Sequence, residues 1–346
     1  MFRAPALPRT LLAALRDIHA VAPKIRAEAA RDLARHVEAA RESVVPALTS
    51  ALRDEIPSVR AAAALALADI DALEALDALL LALDDTDIQV RQMAITALGE
   101  LGDARATEPL RRSLQDDVPE VRFQAVIAFP RVCSARSESI DALIAATRDA
   151  DPLVCHIALR MAEEVGHDEG GEGDGVDPRI LLRARALLRH DADVVRVAAA
   201  IVLARAGEPS GASVLVEVSR GTIKTPDGED EAAAIELCGD LRLELSRTSL
   251  ERRAFGGATG LRRDRFAWHA RVALACMGHE RACREIVRDL GAWDRDKRTL
   301  AVAAAGRARL EAARGAIIAM RGDERSADPH AVEEALARIV GPVGGS

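Results

Sequence analysis

The stretch that decides the fold is DDTDIQVRQMAITALGELG, residues 84–102, because its centre is written again on either side. EIPSVRAAA (55–63) precedes it and DVPEVRFQA (117–125) follows it. In each copy an acidic turn leads into Val-Arg and then an alanine-rich run. Arg60, Arg91 and Arg122 are 31 residues apart, and each follows an aspartate by six: Asp54, Asp85 and Asp116. Arg26 fills the same slot upstream. Downstream, Cys155 stands there behind Asp149, and Arg196 restores the arginine.

Glycine supplies a second ruler. Gly102 lies eleven residues after Arg91, and Gly166 and Gly207 lie eleven after Cys155 and Arg196. A glycine just past a helix end takes the left-handed conformation at little cost, so these mark helix stops. Reading Gly239, Gly278, Gly306 and Gly341 the same way extends the count, and at Gly306 the pair Asp289 and Arg295 restores the Asp-to-Arg spacing. About ten units result, of 28 to 41 residues, the signature of stacked repeats.

Each unit reads as two helices. EALDALLLAL (74–83) and ATEPLRRSL (106–114) are short amphipathic first helices. In the second, Val90, Ala94, Ala97, Leu98 and Leu101 fall on one face. Pro23, Pro57, Pro119 and Pro152 precede second helices, where a missing N–H costs little. Composition agrees: 346 residues, 49% hydrophobic, only 2% aromatic and no tyrosine favour close-packed helices over sheets.

The formal net charge of -8 argues against a duplex-binding protein, which would carry a basic footprint. The apolar start ends at Arg16 and Asp17, too soon for a membrane span or a signal peptide, so no membrane insertion is expected. Five cysteines without any CxxC fit reduced thiols and a cytoplasmic setting.

Paired helices with D-x5-R at the turn and VRxxAaxALGxLGD in the second helix resemble bacterial HEAT repeats, similar to the short variety of phycobilin lyase subunits. The likeness runs through essentially the whole chain. It implies an all-α, right-handed α-solenoid of the armadillo/HEAT type: one domain over 1–346, regular over 20–207, degenerate with insertions over 208–265, and repeating again over 266–341. It also implies a platform that binds another protein, with no catalysis and no cofactor. The alternatives are a lyase-like or chaperone-like subunit holding a chromophore or modified polypeptide, and a nucleic-acid-associated protein using a basic loop at 252–265.

The repeated Asp and Arg (Asp54, Arg60, Asp85, Arg91, Asp116, Arg122, Asp289, Arg295) read as a structural ladder, since every arginine has an acidic escort. Three interruptions are candidate functional features: GHDEGGEGDGVDP (166–178), RGTIKTPDGEDE (220–231) and RRAFGGATGLRRDR (252–265). The first lacks EF-hand or nonapeptide calcium spacing and reads as an acidic tether. The other two fall at equivalent points of successive units. Acidic residues of one and Arg252, Arg253, Arg262, Arg263 and Arg265 of the other either pair together or form a polar binding edge. On the second helices, positions one and five past the Arg slot face away from the core, and the resemblance places them on the concave side. There Leu65, Phe123, Ile127, Arg160, Val197 and Ile201 are candidates to receive a partner, framed nine past the slot by Asp69, Glu100, Arg131, Glu164 and Arg205. Cys276, His279 and Cys283 mimic metal spacing but straddle a turn, and read better as structural side chains.

Overall fold

The computed structural model describes residues 9–167, 176–225, 228–256 and 264–340. Among them lie twenty α-helices and five 3-10 segments, with a single isolated bridge between His167 and Val176 and no strand. The helices alternate as ten hairpins, five in each of two compact units, Met1–Ile180 and Leu181–Ser346. The fold is all-α and solenoid-like. No helix among the described residues is long and apolar enough to cross a membrane.

In the first unit the second helices of the hairpins are Pro23–Ala34, Pro57–Asp69, Ile88–Leu101, Pro119–Val132 and Pro152–Gly166, each packed on the next. Proline opens four of them. Asp87 and Asp151 cap their helices by accepting the amides two and three residues on. Alanine lets the helices approach closely, and one continuous core cluster runs from Ala14 to Cys133, with Phe129 its largest fully buried side chain. In the second unit the corresponding helices are Asp193–Arg205, Gly228–Asp240, Ala267–Cys276, Arg295–Arg307 and Pro329–Val340, around a second cluster from Val197 to Ile339.

The glycines play two different parts. Gly102, Gly207 and Gly278 have positive φ just past a helix end, as the sequence implies. Gly239 and Gly306 instead sit within their helices, equivalent to Gly99. A Cβ on Gly239 would meet the Ala273 backbone at 2.4 Å, and one on Gly306 the Ala335 backbone at 2.6 Å. They are packing glycines, and the true helix stops come three residues later, at Arg242 and Arg309, both with positive φ. Glycine spacing therefore misplaces two repeats by three residues.

Candidate interaction surface

The ladder is built from one repeating bond set. Arg60 grips both carboxylate oxygens of Asp85 at 2.7 Å and gives its third nitrogen to the Asp54 carbonyl. Arg26 binds Asp54, Arg91 binds Asp116 and Arg122 binds Asp149 in the same bidentate way. Each aspartate also accepts the amide two residues on. An arginine thus bonds its own repeat through the main chain and the next repeat through the carboxylate. Partial burial works to raise the pKa of Asp54, Asp85 and Asp149, but the guanidinium and amide bonds prevail and hold all three below the ordinary value.

The proposed rung Asp289–Arg295 does not form. Asp289 is buried beside Lys297, Arg288 and Arg271, while Arg295 bonds the Glu324 carbonyl. The slot belongs to Arg298, which reaches back six residues to the Ala292 carbonyl and forward to the carbonyls of Arg325 and Ser326. The three-residue glycine error accounts for the shift. Cys155 fills its slot differently again, giving its buried thiol to the Thr147 carbonyl at 2.9 Å.

The predicted second-helix face divides by unit. Leu65 is 36% exposed, and Phe123, Ile127 and Arg160 are half-buried. Leu153 (50% exposed) and the half-buried Ile157 stand on the helix stacked against that of Phe123, where the equivalent positions are His156 and Arg160. Val197 and Ile201, by contrast, have no exposed surface and belong to the second core cluster, which removes them as partner contacts. The reason is legible in VAAAIVLA: a helix apolar all round is buried all round.

At the insertions the acidic and basic segments pair. Arg253 bonds Glu231 at 2.9 Å and the carbonyls of Ser219 and Val218, so it is spent within the fold and is no free binding residue. Arg265 reaches the other Glu231 oxygen while lying over Phe266, 4.4 Å from the ring centre. Glu231 stands eight residues before Gly239, as Arg91 does before Gly99, so this repeat carries a reversed charge in its slot. Arg252 is exposed. Arg262 and Arg263 lie outside the described residues, as do 168–175 of the acidic segment.

The sequence reading missed a polar network on the second unit's helices, because the misplaced glycines hid its register. Glu236 bonds His269 at 2.6 Å and also Arg307, whose other nitrogens take both oxygens of Asp240. Burial pushes Glu236 upward, but His269 and Arg307 outweigh it and its pKa lies below the ordinary value. Cys276 beside them is driven the other way by burial and by Asp240, to about 12. Cys238 also reaches about 12 through burial, so neither thiol supplies a thiolate near neutrality. His279 caps the helix Glu280–Asp289 through Nδ1, which accepts the Ala282 amide. Among the described residues no group of three or more His, Cys, Asp or Glu could hold a metal ion.

The family model for HEAT repeats matches residues 8–87 and 76–163. No curated protein matches the chain. Among solved structures, YibA of E. coli superposes with a TM-score of 0.53 at 18% identity, covering 77% of this chain and 92% of that one. An engineered protein matches at 18% identity and TM-score 0.41, over 96% and 99% of the two chains. The complex of CpcE and CpcF of phycocyanin lyase from Nostoc matches at 20% identity and TM-score 0.36, over 81% and 91%. The YibA likeness shows the fold alone. With the Asp–Arg ladder running through the stacked hairpins of the matched region, residues 8–163 are HEAT repeats.

Proposed function

We propose that the protein is a non-catalytic scaffold that binds a partner polypeptide along the second helices of its first unit. One observation carries this reading. Phe123, Ile127, Leu153 and Ile157 leave apolar surface open on two adjacent stacked helices, Pro119–Val132 and Pro152–Gly166, while Leu65 stands apart, with Gln92 and Thr96 on the helix between. Open apolar side chains on neighbouring helices suit the non-polar face of another chain. Arg160 and Glu164 stand on the second of these helices, and the Glu100–Arg131 ion pair ties the first to its other neighbour.

The test is affinity purification of the full chain from its native host, with Phe123→Glu/Ile127→Glu as control. A stoichiometric protein recovered with the unaltered chain and lost with the folded double variant supports the reading. Recovery of the same partner by both proteins would place binding elsewhere, and a coloured or chromophore-bearing eluate would favour the lyase-like alternative.

A further inference from the structure

Hairpins of a solenoid contact their immediate neighbours, so the first and third of any three are coupled only through the second. Arg307 departs from that rule. It is the last residue of Arg295–Arg307, and its Nε and Nη2 meet the two oxygens of Asp240 at 3.0 and 2.5 Å. Its Nη1 meets Glu236 on the same distant helix, Gly228–Asp240. Ala267–Cys276 packs between the two helices. The bonds span 67 and 71 residues, against 25 to 28 for the carboxylate rungs of the ladder.

A side chain can cross a whole repeat only where the helices bend toward one another and nothing tall stands between. The residue between is Cys276, short and uncharged, nine past its repeat's slot as Asp240 and Arg307 are past theirs. In the first unit the same row reads Glu100, Arg131, Glu164. There the long middle side chain pairs with its neighbour Glu100. In the second unit the middle helix joins the network from the side, through the His269 ring on Glu236.

We propose that Arg307 is a strap that fixes the bend of the second unit, holding three consecutive hairpins to one curvature, and that its release lets this face open. Such a device adds a coupling that nearest-neighbour stacking lacks, and it stands independently of where a partner binds.

Hydrogen–deuterium exchange and solution scattering on the full chain test it. Arg307→Gln should speed exchange about tenfold in the last turns of both Gly228–Asp240 and Arg295–Arg307 and raise the radius of gyration, with helix content unchanged. Cys276→Lys leaves the strap residues intact but puts a competing ammonium beside Asp240, and should have the same effect, whereas Cys276→Ser should have none. Asp240→Asn combined with Arg307→Gln should loosen the unit no further than Arg307→Gln alone. Raising salt from about 0.05 M to about 1 M should open the unaltered chain and leave Arg307→Gln indifferent. Faster exchange confined to Arg295–Arg307, strictly additive effects, or salt-independent dimensions of the unaltered chain would each overturn the proposal.

Discussion

At the scale of single residues the ladder explains why the slot is arginine. Arg122 spends Nε and Nη2 on Asp149 and Nη1 on the Asp116 carbonyl, a planar fork that lysine cannot reproduce. Its side chain is 16% exposed and that of Asp149 10%, so each is sheltered enough for the loss to register. Arg122→Lys should cost about 1 kcal/mol and Arg122→Ala about 2 kcal/mol in urea unfolding of the full chain, because the alanine leaves a sheltered carboxylate without its cation. The spacing D-x5-R is visible in the sequence, yet it misdirects as to the partner. The aspartate six residues back offers its carbonyl, and its carboxylate turns toward the preceding repeat. Sequence distance cannot show this, because the contact is made by stacking and not along the chain.

Among helices the decisive distinction lies between glycines that end an element and glycines that let elements touch. Both occur in ALGELG, as Gly99 and Gly102, three residues apart. Where only one remains, as in the repeats of Gly239 and Gly306, spacing cannot say which it is. The helical hairpins, their proline starts and the count of ten were legible, since these rest on local propensity and period. The slots after residue 207 were not, since they depend on which backbone approaches a given glycine. Two substitutions separate the roles. Gly239→Ala should destabilise by about 2 kcal/mol despite alanine's better helix propensity, because its Cβ would collide with the Ala273 backbone. Arg242→Gly should stabilise by about 0.5 kcal/mol or more, because φ +49° there strains an arginine and not a glycine. Thermal melting of the two variants against the unaltered chain should move in opposite directions.

Over the whole molecule, the carboxylate ladder is a property of the first unit. Its rungs run from Arg26–Asp54 to Arg122–Asp149, and then Cys155 and His190 stand where an arginine and an aspartate would. In the second unit carboxylate ties persist at Arg307 and Arg185, but other arginines that join repeats lean on main-chain carbonyls. Arg298 takes those of Arg325 and Ser326, and Arg253 those of Ser219 and Val218 as well as Glu231. A carbonyl keeps its lone pairs at any pH, whereas a carboxylate loses its charge in acid. Asp54, Asp85 and Asp149 have folded-state pKa values below the ordinary one, so the folded state binds fewer protons than the unfolded state near that range. Their contribution is complete above the ordinary carboxylate pKa of about 4 and is lost as pH falls through the lower folded values. Below about pH 4 the ladder helices Pro57–Asp69 to Pro119–Val132 should therefore lose amide protection before Pro329–Val340, whose preceding turn Arg298 holds through carbonyls, in hydrogen exchange of the full chain. Replacing Asp85 by asparagine should remove part of that pH dependence while lowering stability at neutral pH. Equal acid sensitivity of the ladder helices and Pro329–Val340 would mean that the rungs contribute little and that apolar stacking alone holds the first unit together.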